Sequence, residues 1–231
     1  MSLNSATLSR AAGVAAILSG VIFIGVQIGH PHLDVTSVGT TEWVIRNTAK
    51  MAFASLALAG ITGMYLRQIK QAGLLGLVGY LLLAIGYLLI TCTAFVAGYV
   101  LPSLALSDPT YVDGVLTAAA GGTPTSDIGL INYALVAEGI TFLAGGLLFG
   151  IATFRARILV RWAAVLLAVG AVVTLALPLL PDSLYRALAY PNAVALIGLG
   201  ISLWRNPSSS EVATSRSALD HPSHTRRVGA S

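Results

Sequence analysis

Apolar residues run along this chain in long, nearly unbroken stretches, and charged residues gather in the short gaps between them. Six stretches stand out, at residues 11–29, 51–66, 73–101, 128–154, 158–180 and 187–204. A helix needs about 20 mainly apolar residues to cross a ~30 Å hydrocarbon core, so the pattern predicts an all-α, polytopic transmembrane bundle of six spans. The second stretch is short. Thr41 to Arg46 can extend it to residues 41–66, with Thr40 or Thr41 as N-cap and Glu42 paired with Arg46 at i,i+4. That extension places Trp43 at the membrane interface, where amphipathic rings prefer to sit. The third stretch is long enough to tilt or to project beyond the bilayer.

Charge placement orients the bundle. With the N-terminus inside, the inner segments hold Arg10, Arg67, Lys70, Arg155, Arg157, Arg161, Arg205, Arg216, Arg226 and Arg227, which is ten of the 13 basic residues. Asp34, Glu42, Asp108, Asp113, Asp127 and Asp182 all fall outside. The positive-inside rule therefore predicts both termini in the cytoplasm of a multi-pass plasma-membrane protein. The first stretch follows Arg10 like a signal peptide, but it exceeds a signal h-region and further spans follow, so it reads as an uncleaved span.

Composition agrees. Hydrophobic residues make up 56% of 231 and charged residues 10%, with a mean hydropathy of +0.83; a soluble domain carries about 25% charged residues. The net charge of +4 follows from orientation, and the arginines are not gathered among aromatics as a nucleic-acid surface requires. Membrane lipids are the expected partners, anionic ones at the inner face; protein partners are not legible. The loop 102–127 predicts a surface helix over Pro109–Ala119, with Asp108 as N-cap and Pro109 at the first helical position. The tail, residues 206–231, is too poor in large apolar residues to bury a core and is expected to be disordered.

Candidate chemistry centres on Glu138. It lies ten residues into the fourth stretch, about 15 Å along a helix, which is the midplane of the core. A carboxylate buried there is costly and by default marks a functional site, most simply as the protonated acid. Ala134, Thr141 and Gly145 share its face and should pack inward. A partner face is expected on the third span, where Tyr80, Ala84, Tyr87, Thr91, Ala94 and Gly98 recur at helical spacing. Lys50 could reach inward toward Glu138 or snorkel outward, the latter being the expectation, and Asn132, Tyr133 and Asn192 could widen an outer vestibule. His30, His32 and Asp34 are metal-ligand types, but no fourth ligand accompanies them and a turn set by Pro31 is the expectation. Cys92 is the lone cysteine, no histidine lies mid-span, and phosphate loops, HExxH and GxSxG are absent, so no cofactor or metal is expected.

The run Phe154-Arg155-Ala156-Arg157-Ile158 leading to Arg161-Trp162-Ala163-Ala164, together with Tyr65-Leu66-Arg67 through Gly79, resembles small bacterial, mainly actinobacterial, membrane proteins of the DUF4386-like type. The resemblance implies the six-span layout and carries over no catalytic residues. Three functions follow as expectations. One is a membrane-embedded enzyme on a lipid or isoprenoid, an apolar small-molecule ligand, with Glu138 as general acid and Tyr80 and Tyr87 stabilising positive charge through their rings. Another is a small transporter or proton-coupled carrier using Glu138 as its proton site. The last is a structural or partner-binding membrane subunit.

Overall fold

A computed structural model of the chain describes residues 4–173 and 187–206. Among them every regular element is helical. Helix α1 (Ser5–Gln27) opens where the Asn4 side chain accepts from the Thr7 amide at 2.7 Å. A single turn, α2 (Val35–Val38), is capped by Asp34. Helix α3 (Thr41–Phe95) starts at the expected cap, with Thr40 Oγ1 accepting from the Trp43 amide at 3.2 Å.

Helix α3 is two limbs rather than one rod. Helical backbone lapses at Gln68 (φ −122°, ψ 17°) and at Gly73 (φ 58°), the second a left-handed value that a glycine adopts without steric penalty. Contacts between the limbs run in opposite senses: Thr62 meets the Tyr80 hydroxyl at 3.1 Å, Phe53 meets the Tyr87 ring at 6.5 Å, and Thr48 meets the Tyr99 hydroxyl at 2.7 Å. Residues 41–67 and 74–95 therefore form an antiparallel hairpin. A π turn (Val96–Val100) and the short α4 (Leu101–Leu104) follow, then α5 (Pro109–Ala119), α6 (Ile131–Ala156), α7 (Arg161–Val173), a 3₁₀ turn (Ala187–Ala189) and α8 (Tyr190–Arg205). The expected spans at 158–180 and 187–204 are thus helical from Arg161 to Val173 and from Tyr190 to Arg205; residues 174–186 and the tail from 207 lie outside the described residues.

Each neighbouring pair is antiparallel, and α8 returns to α1. Small residues make this possible, because in lipid helices associate through close packing rather than a hydrophobic force. A Cβ at Gly13 would fall 2.8 Å from the Gly200 carbonyl oxygen, and one at Gly20 would fall 2.5 Å from that of Ala193. Between the second limb and α6, a Cβ at Gly79 would lie 2.8 Å from the Phe149 Cα. The core of this ring includes Phe53, Ile61, Met64, Leu83, Tyr87, Phe149, Leu167, Leu196 and Leu199.

A second, smaller core sits over one end. Val112, Val115 and Leu116 of α5 pack with Val38, Trp43, Leu101 and Ile128. Helix α5 has the expected cap, with Asp108 accepting from the Tyr111 amide at 3.0 Å. Trp43 corrects the expectation of an interfacial ring: it is 2% exposed. The π turn explains why. The Leu101 amide bonds back to Val96 rather than Ala97, which leaves the Ala97 carbonyl without its helical donor, and Trp43 Nε1 donates to it at 2.7 Å.

Arg46 does more than pair with Glu42 at 2.7 Å. Its guanidinium also donates to the carbonyls of Val26, Ile28 and Gly29, each at 2.9 Å. These are end-of-helix acceptors of α1, which a cation both bonds and stabilises through the helix dipole. Removing the guanidinium with Arg46→Gln is expected to cost about 2 kcal/mol, the scale of a charged hydrogen bond whose acceptors partly rehydrate. Thermal unfolding in mild detergent measures it, and an unchanged midpoint would show the carbonyls to be equally well served by water.

Candidate functional site

Glu138 is half-buried on α6, on the side facing the second limb of α3. Its inward face packs as expected: a Cβ at Gly145, two turns on, would lie 2.6 Å from the Leu83 Cα. The partner of the carboxyl is Thr93, whose Oγ1 donates to Glu138 Oε2 at 2.6 Å. The same hydroxyl is also 3.0 Å from the Leu89 carbonyl oxygen and 3.3 Å from that of Ile90. A hydroxyl carries one proton and can also accept. When Thr93 donates back to Leu89, a protonated Glu138 can donate to Thr93 Oγ1. The pair therefore keeps its hydrogen bond with Glu138 neutral or ionised.

Lys50 is half-buried on the first limb, within electrostatic reach of Glu138. One turn below Glu138, Phe142 meets the Tyr87 ring edge-on at 5.7 Å; Tyr87 meets Phe53, which stacks on Phe23 at 4.5 Å. Four aromatic rings from four helical segments thus floor the polar group. Tyr87 is 1% exposed.

The structure separates other residues that the sequence reading grouped with Glu138. The ends of the expected partner face pack on the first limb, where Tyr80 stacks on Tyr65 at 4.7 Å and Gly98 receives Asn47, while Tyr87 between them touches both Phe53 of that limb and Phe142 of α6. Tyr80 is thirteen residues from Thr93, about 20 Å along the helix, and takes no part in the site. The outer vestibule is not assembled from its three expected residues. Tyr133 is 72% exposed, whereas Asn192 is buried against Gly170. Thr93 itself was missed. It continues the series Gly76, Gly79, Leu83, Gly86 and Ile90 at steps of three and four, so the glycine ridge that seats α6 also points to it.

The turn after α1 uses its polar groups locally. Asp34 accepts from Thr36 Oγ1 at 2.6 Å and from the Ser37 amide at 2.8 Å, and those bonds, Thr36 foremost, hold its carboxyl below the usual carboxylate range. His30 lies against the Trp43 ring at 6.2 Å, with its Nδ1 2.8 Å from the Pro31 carbonyl oxygen. Among the described residues no three His, Cys, Asp or Glu side chains converge as metal ligands.

Fold and site together define an all-helical protein suited to a membrane: Ser5–Gln27, Thr41–Leu104 and Ile131–Ala156 are long and apolar enough to cross one. No family model, curated protein or solved structure matches the chain.

Proposed function

We propose that the chain is a six-span plasma-membrane protein with both termini in the cytoplasm, which binds a lipid or isoprenoid and protonates it from Glu138. The observation that carries this reading is the 2.6 Å contact of Thr93 Oγ1 with Glu138 Oε2, a geometry that serves the ionised acid and, with Thr93 donating back to Leu89, the protonated one as well. A general acid must exist in both forms during turnover, and most buried carboxyl sites favour one. Lys50 supplies positive charge when the acid is ionised, and the rings of Tyr87 and Phe142 offer aromatic surface next to it. With Tyr80 remote, Tyr87 alone remains of the two tyrosines proposed to face developing positive charge. A second reading, proton-coupled carriage, draws on the same bond, since a carrier also cycles its acid between charge states.

Mass spectrometry of small molecules co-purified in mild detergent tests the ligand. Wild type is expected to retain a discrete lipid or isoprenoid, reduced at least about tenfold in Glu138→Gln, a loss of about 1.4 kcal/mol or more in binding. Matching phospholipid profiles in both proteins would refute a ligand site and leave Glu138 as a packing hydrogen bond.

A further inference from the structure

The end of the bundle away from the α5 cap is strongly and uniformly basic. Six exposed cations, Arg10, Lys70, Arg155, Arg157, Arg161 and Arg205, come from the start of α1, the α3 turn, the α6–α7 connection and the end of α8. The antiparallel packing brings these segments to one level: Gly13 meets Trp204, Gly76 meets Ala152, and Arg67 Nε donates to the Asn206 carbonyl at 3.2 Å. Among the described residues no acidic side chain lies at this end. Asp34, Glu42, Asp108, Asp113 and Asp127 belong to the opposite end, and Glu138 lies between.

Two further observations bear on what faces this surface. Trp162 and Trp204 are 55% and 49% exposed at the same level as the cations. Their rings suit the boundary between hydrocarbon and headgroups, with the arginines on its polar side. Arg161 is held over the Phe154 ring at 4.0 Å, and Arg157 ends α6 with φ 56°, a left-handed conformation that glycine would adopt more cheaply. We infer that this basic end is a binding surface for anionic phospholipid headgroups, with the α6–α7 connection (Arg155, Arg157, Arg161) at its centre. A polyanion in solution would match the charge but would leave the flanking tryptophans without a partner. The inference is independent of the role of Glu138.

The test is competition between phosphatidylglycerol and phosphatidylcholine for the full chain in mixed micelles, read by native mass spectrometry. Wild type is expected to retain phosphatidylglycerol at least tenfold over phosphatidylcholine. Each cation removed from an anionic surface is expected to lower affinity by about five-fold, so Arg155→Gln/Arg157→Gly/Arg161→Gln should abolish the preference. Arg157→Gly alone separates binding from folding, because it should raise the unfolding midpoint in neutral detergent while reducing the preference. Equal retention of both lipids by wild type would overturn the inference, as would a preference that survives the triple variant. Displacement of the lipid by millimolar inorganic phosphate would also overturn it, by showing a site for the free ion.

Discussion

Gly145→Ala is expected to lower the unfolding midpoint by roughly 6–12 °C, the shift that about 3 kcal/mol produces in a chain of this size. The sign is the informative part. Within a helix, glycine to alanine ordinarily gains up to about 1 kcal/mol. At Gly145 the added methyl would lie 2.6 Å from the Leu83 Cα and 2.8 Å from the Leu82 carbonyl carbon. Those are backbone atoms of the opposing limb, so no side-chain rotation relieves the overlap. The helices must separate, and the seam loses the close contact that lipid cannot replace. Gly25 is the internal control: it is exposed on α1, and a Cβ there meets nothing within 4 Å. Gly25→Ala should leave stability unchanged or raise it slightly. If both substitutions behave alike, α6 is not seated on the second limb of α3 as described.

Trp43→Ala is expected to cost about 3–5 kcal/mol, the range for truncating a large buried aromatic. Its effect should be local, because Trp43 belongs to the small core under α5 and not to the ring core. Hydrogen exchange should rise in Pro109–Ala119 and the π turn, with α1 and α6 protected as before. Trp43→Phe keeps most of the ring and removes the donor to Ala97, so its smaller cost, about 1–3 kcal/mol, reports the orphaned carbonyl. Exchange rising equally throughout the bundle would show that the cap is not a separate cooperative unit.

Much of this architecture is legible from residue pattern alone. The hairpin of α3 falls where Arg67, Lys70 and Gly73 interrupt the apolar run, because charge and a glycine turn are what a chain needs to reverse outside hydrocarbon. Asp108-Pro109 marks the start of α5 for reasons confined to four residues. Trp43 was misplaced because its side chain satisfies a generic interfacial preference, which Lys50 shares, while its actual partner, the Ala97 carbonyl, lies on another element. Choosing between snorkelling and reaching inward requires knowing which helix stands opposite. The same lack of register assigned Tyr80 to face α6 when it stacks on Tyr65 of the first limb, while Tyr87 does reach Phe142 of α6. Thr93 sits on the neighbouring stripe, distinguished by the glycines that precede it.

The proposed depth of Glu138 depends on six crossings, and the proposed meeting of the basic end with the inner leaflet depends on the termini being inside. Cysteine labelling in intact cells measures this directly, because Cys92 is the chain's only cysteine and Cys92→Ser supplies a clean background. Single cysteines at Gln71→Cys and Arg157→Cys should react with a membrane-impermeant maleimide only after the cells are permeabilised. Asp113→Cys and Asp127→Cys should react without permeabilisation. Labelling of Gln71→Cys or Arg157→Cys from outside would contradict the topology, and with it the placement of the basic end at the inner leaflet.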